Sequence, residues 1–257
     1  MASFAYDATD KRSVNSLIGR VYGYMFFGIL LTGIIAFGVG IIFSLWIFGT
    51  ANPSAVPYDQ LEANFDSNGV ITMLIMMVIT MIALFIMAFV VQRRFMKGTK
   101  SLMVPAIIYS VLMGLLLSEL VVFVPWPVLG TTFIITAGIF GVMFLISYLS
   151  KGSLNFLGVI GIGLFIGAGL IALVGFILTL TGALGDYMHL YWIISIITFA
   201  AIMFITIWDM WRIKQIASTG EMNENLVLYC AFTLYVDFIY LFMRVLRFVA
   251  YFMSKKN

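Results

Sequence analysis

Seven uninterrupted apolar runs, each of about 20 residues or more, fill this sequence and leave little room for anything else. A helix of that length spans the hydrocarbon core of a bilayer. In lipid no water is available to satisfy backbone N–H and C=O groups, so only helices and closed barrels can cross. A barrel would show short segments of alternating polarity, and these runs are continuous. The expected fold is therefore all-α and integral to a membrane, one transmembrane domain over 1–257. Its seven helices are expected near residues 22–48, 70–92, 102–124, 128–149, 156–180, 190–213 and 226–252. Composition agrees: 63% of the residues are hydrophobic and 10% charged, where a soluble domain carries about a quarter charged. The first run is too long for a signal peptide and is expected to stay in the mature protein. A single Cys230 excludes an internal disulfide, and one Cys with one His, His189, cannot supply the four ligands of a structural zinc site.

The loops alternate in charge. Lys11, Arg12 and Arg20 precede the first run. Arg93, Arg94, Lys97 and Lys100 separate the second from the third, Lys151 follows the fourth, and Arg212 and Lys214 end the sixth. The opposite loops, 49–69, 125–130 and 181–188, hold no Lys or Arg. This asymmetry places the N-terminus in the cytoplasm. Basic residues confined to short loops give no reason to expect nucleic acid. One feature runs against the pattern: if the seventh run crosses, Lys255 and Lys256 end outside. The longest outer loop carries Asp59, Glu62 and Asp66, a solvated loop or a weak cation-attracting mouth. Pro125-Trp126-Pro127 reads as a tight outer turn, and Pro105 as a first-turn proline of the third helix. In the glycine-rich fifth run, Gly163 and Gly167 make a small-xxx-small spacing suited to close helix approach.

Charges inside the runs are few. Glu119 lies toward the outer end of the third, Asp209 near the inner end of the sixth, and Asp237 about three turns into the seventh, followed by Arg244 and Arg247. Each charge at a helix centre costs about 2.5–3.5 kcal/mol. Three of them make a lipid-facing position for the seventh run unfavourable by about 8–10 kcal/mol, so it belongs inside the bundle, its charges facing partners or a water-filled cavity. In an antiparallel hairpin of the last two helices, Asp209 and Asp237 would both lie in the cytoplasmic half. Continuation of the sixth helix through Lys214 would match their depths better. Two such carboxylates in a low dielectric cannot both ionise freely and would share a proton, a pH sensor and a candidate cation ligand. The alternative is separate pairing, Asp209 with Arg212 and Asp237 with Arg244. Seven residues of helix span about 10 Å, too far for the second pair to touch directly. No nucleophile–base pair is evident, so an enzyme is not expected, and no cofactor is called for.

The seventh run reads Leu234-Tyr235-Val236-Asp237-Phe238-Ile239-Tyr240-Leu241-Phe242, then Leu246-Arg247. It resembles the C-terminal signature of the Bax inhibitor motif family, Leu-Tyr-Leu-Asp-Phe-Ile-Asn-Leu-Phe followed by Leu-Arg. Trp208-Asp209-Met210-Trp211-Arg212-Ile213-Lys214 is similar to the family's Tyr-Asp-Thr-Gln-Lys-Ile-Lys. Val21-Tyr22-Gly23-Tyr24-Met25-Phe26-Phe27-Gly28 with Leu31-Thr32, and Thr136-Ala137-Gly138-Ile139-Phe140-Gly141-Val142-Met143, look like bacterial members. The chain departs from the pattern in places. Ser150-Lys151-Gly152-Ser153-Leu154 lacks the acid of the family's Thr-Lys-x-Asp-Leu, Tyr240 replaces an Asn, and the second run has no internal Arg. The resemblance implies a seven-helix fold whose C-terminal helix is central in a ring of six. It also implies a pH-sensitive calcium leak with Asp209 and Asp237 as the sensing, cation-binding pair. An interaction protein that modulates a membrane protease or stress and cell-death pathway is the alternative. The expected partners are lipid, protons and calcium, with a protein partner under the alternative.

Overall fold

The computed structural model describes residues 2–53, 66–98, 101–180, 188–219 and 223–254, with side chains described except at 2–13, 179–180, 188–190 and 254. The loop acids Asp59 and Glu62, the cations Lys11, Arg12, Lys100, Lys255 and Lys256, and the His189 side chain lie outside these. Among the described residues the regular structure is helical throughout: α1 Ala2–Phe48, α2 Ser67–Lys97, α3 Met103–Phe123, α4 Trp126–Leu149, α5 Asn155–Leu180, α6 Met188–Ser218 and α7 Glu224–Ser254. All seven are long and apolar enough to cross a membrane. The surface agrees: Phe85 of α2 is 68% exposed and Val159 of α5 is 74% exposed, an arrangement stable only against lipid.

Local chemistry sets the helix ends. The Asp66 carboxylate, read from sequence as a loop acid, accepts the Asn68 N–H at 2.9 Å and caps α2. Gly98, with φ 62°, closes the same helix in the left-handed conformation, its N–H donating to the Arg94 and Phe95 carbonyls. Pro105 sits in the first turn of α3, where no N–H is needed. The turn expected at Pro125-Trp126-Pro127 is tighter still, since α4 already begins at Trp126. Ser153 stands where the resemblance leads one to expect an acid. Its hydroxyl accepts the Asn155 N–H at 3.4 Å at the start of α5, so serine supplies the capping oxygen that an aspartate would. The largest difference from expectation is α1, which begins at Ala2 rather than near residue 22 and so carries its helix through Arg20; α6 likewise outruns its expected end, through Arg212 and Lys214 to Ser218. Charge marks where a helix leaves lipid, not where it ends.

The chain divides into two compact units, one of residues 1–132 and 221–235, the other of 133–220 and 236–257. In the first unit, α3 packs along both α1 and α2. Two glycines set that closeness. A Cβ on Gly114 would fall 2.7 Å from Ile35 Cβ and 2.9 Å from the Thr32 carbonyl, and one on Gly40 would fall 2.6 Å from Val121 Cβ. Phe43, Ile47, Met73 and Val122 form one buried cluster, and Val91, Leu102 and Leu228 another.

In the second unit α5 packs along α6. The glycines at this contact are Gly158, whose added Cβ would lie 2.6 Å from the Trp208 ring, and Gly161, 2.8 Å from Ile205. The expected pair, Gly163 and Gly167, faces open space. At about 100° per residue, Gly158 and Gly161 share one face and Gly163 and Gly167 point to the opposite one. Lys214 donates from Nζ to the Tyr148 carbonyl at 2.6 Å and the Ser150 carbonyl at 3.1 Å, satisfying the end of α4. Of the seven spans, α7 has the largest buried share, half of its most apolar stretch against 17% for α2 and α5. That ordering follows the cost of placing its charges in lipid.

Candidate functional site

The first stretch of α7, through Tyr235, belongs to the first unit, and most of its polar groups have partners. Asn223 caps it, its side-chain oxygen accepting the Leu226 N–H at 2.9 Å. Glu224 forms an ion pair with Arg20 and accepts the Tyr24 hydroxyl at 2.9 Å. Phe95 and Tyr229 stack with ring centroids 3.8 Å apart. Deeper in, the Tyr235 hydroxyl lies 2.7 Å from Thr32 Oγ1, which donates to the Ser110 carbonyl at 3.0 Å. The single proton of Thr32 is thereby committed, so Tyr235 is the donor of the pair. Gly28 leaves room for that ring, since a Cβ there would come 3.1 Å from it. None of these contacts was anticipated. Thr32 and Tyr235 both stand in the sequence motifs quoted above, and that was the only signal for them.

From Val236 onward α7 belongs to the second unit, and the chemistry changes. Asp237 on α7 and Asp209 on α6 are neighbours, each carboxyl acting electrostatically on the other. Both are partly buried, and Asp237 Oδ2 is sealed from solvent without a hydrogen-bond partner among the described residues. Trp211 Nε1, two residues beyond Asp209, is likewise buried and unpartnered. The length of α6 brings the two acids to similar depth. Asp209 lies nine residues before Ser218 and Asp237 thirteen after Glu224, or about 13 and 20 Å along their axes. Apolar packing holds Asp237 in place: the next residue, Phe238, meets Phe133 and Phe140 edge to face with centroids at 5.8 and 5.5 Å.

The other expected site residues divide. Arg212 acts electrostatically on Asp209 and lies 5.4 Å above the Trp208 ring, so one half of the separate-pairing alternative is present beside the aspartate pair. The other half is not. Arg244 has Arg247 and Tyr191 as its electrostatic neighbours, and Arg247 lies 6.0 Å over the Tyr191 ring. Glu119 stands on α3 in the first unit, with Oε1 buried and unpartnered among the described residues. No group of three or more His, Cys, Asp or Glu able to hold a metal occurs among the described residues.

A family model described as "Inhibitor of apoptosis-promoting Bax1" matches residues 14–255. The inner membrane protein YbhL of Escherichia coli is 29% identical over 242 residues, covering 92% of each chain. The protein RP147 of Rickettsia prowazekii is 32% identical over 145 residues, 55% of this chain and 58% of its own. The family match spans α1 from Val14 and every later helix, including both aspartates. The protein is a multi-pass membrane protein, and it belongs to the Bax inhibitor family.

Proposed function

We propose that this protein is a passive cation leak, with calcium as the permeant ion, controlled by protonation of the Asp209–Asp237 pair. The observation that carries this reading is the placement of two carboxyl groups as neighbours on two membrane-spanning helices, one with an oxygen buried and unpartnered among the described residues. Acids there are costly and are kept for ion paths and proton relays. With one proton the pair is held together by a hydrogen bond. Without it, two like charges repel or capture a cation. Calcium prefers six to eight oxygen ligands. Two carboxylates offer four oxygens at most, which suits a point of transit better than a storage site. Arg212, beside Asp209, would bias the pair toward the ionised form and compete with a cation for it. Loop charge supports a cytoplasmic N-terminus, with Arg93, Arg94, Arg212 and Lys214 on the cytoplasmic side.

The test is calcium flux into liposomes that hold the purified protein, measured from acidic to mildly alkaline pH. The native protein should show a pH-dependent flux, and Asp209→Asn and Asp237→Asn should each flatten the profile. Retention of the native profile by both variants would sink the pair as the switch. Absence of flux from the folded native protein, with a stable protein partner co-purifying in mild detergent, would favour the interaction reading.

A further inference from the structure

Arg244 and Arg247 are not used by the proposed switch. They lie 20 and 23 residues beyond Glu224 on one unbroken helix, about 30 and 35 Å along its axis. That distance takes them to the far face of the membrane from the α7 start. Spaced three apart, they are neighbours on one helix surface. Among the described residues neither forms a salt bridge with an acid. The second unit thus places two like charges side by side, one half-buried and one exposed, with no acid paired to them among the described residues. Their surroundings are interfacial aromatics. Tyr191 lies under Arg247, and Trp192 packs on Phe248 and Tyr251 with centroids at 6.0 and 4.3 Å. Tyr and Trp collect at headgroup depth, where an amphipathic ring meets both phases. These positive charges also sit on the face where loop charge predicts none.

We propose that Arg244 and Arg247 form a binding site for the phosphate headgroup of an anionic phospholipid in that leaflet, with Tyr191 and Trp192 as its wall. The arginine fork matches phosphate oxygens in pairs, and the exposed Tyr191 with the partly buried Trp192 provides a surface for the glycerol and upper acyl chain. The lipid would neutralise the end of α7 and fix the helix at a set depth. The site is independent of the leak reading, since it involves neither aspartate.

The purified protein in mild detergent should bind phosphatidylglycerol in preference to phosphatidylcholine, read by native mass spectrometry and by a rise in thermal midpoint. Inorganic phosphate should give neither response. Arg247→Gln should cut the preference about fivefold, and the Arg244→Gln/Arg247→Gln double variant more, at about 1 kcal/mol per interfacial cation. The Arg93→Gln/Arg94→Gln pair removes equal charge at the end of α2 and should keep most of the preference. Equal losses in the two double variants would overturn the site, as would a preference unchanged by Arg247→Gln. A thermal shift with inorganic phosphate alone matching that with phosphatidylglycerol would overturn the lipid as occupant.

Discussion

From Glu224 to Tyr235, α7 meets its neighbours through an ion pair, a stacked ring pair and hydroxyl bonds whose donors are accounted for. From Val236 to Ser254 the same helix carries an aspartate beside a second aspartate, one of its oxygens unpartnered among the described residues, and two arginines that pair with no acid among them. The contrast separates two uses of polar groups in lipid. Groups that find a partner within the protein fix a helix in place. Groups left with unspent charge or hydrogen-bonding capacity are tolerated where they respond to something from outside, which under the readings proposed above would be a proton, a cation or a lipid headgroup.

The comparison can be broken by removing the packing that holds the second stretch's partner. Gly158→Leu would drive a side chain into the Trp208 ring and should destabilise by about 3 kcal/mol. Gly163→Leu, which faces open space, should change the thermal midpoint in detergent little. A smaller effect with a distinctive sign is expected from Asp237→Asn. It removes a carboxyl crowded by a second one, and should stabilise by about 2 kcal/mol at mildly alkaline pH, where the proton shared by the pair is hardest to keep. At acidic pH, where a proton already bridges the pair, the gain should vanish. A gain equal at both pH values would mean that the two acids do not titrate as a unit. Tyr235→Phe deletes a donor but leaves Thr32 bonded to the Ser110 carbonyl, so a loss of about 1 kcal/mol is expected, independent of pH. Glu224→Gln should have the smallest effect, because its partner Arg20 is solvent-exposed. What little it changes should disappear in high salt.

The seven crossings were legible because lipid imposes a length and forbids unsatisfied backbone, constraints that act on each run by itself. The aspartate pair was legible for a related reason: a carboxylate in an apolar run is costly, and two at matching depth on consecutive antiparallel helices have each other as candidates. The true end of α6 was hidden, since Arg212 and Lys214 are good helix formers that also mark the membrane surface. The packing glycines were misread because Gly163 and Gly167 satisfy the spacing rule, but spacing does not tell which face meets a neighbour. The Arg20–Glu224 and Thr32–Tyr235 contacts join residues more than 200 positions apart. Nothing in a neutral Thr or Tyr within an apolar run signals so distant a partner.

Lys214 has its ammonium committed to two carbonyl oxygens at the end of α4. An amine so engaged is a poor nucleophile toward acylating reagents, whereas Lys97 and Lys151 are exposed. Sidedness of this protein in intact cells is therefore best read from those two lysines. Sparse labelling at Lys214 would report the closure of a helix end, whichever compartment the reagent came from.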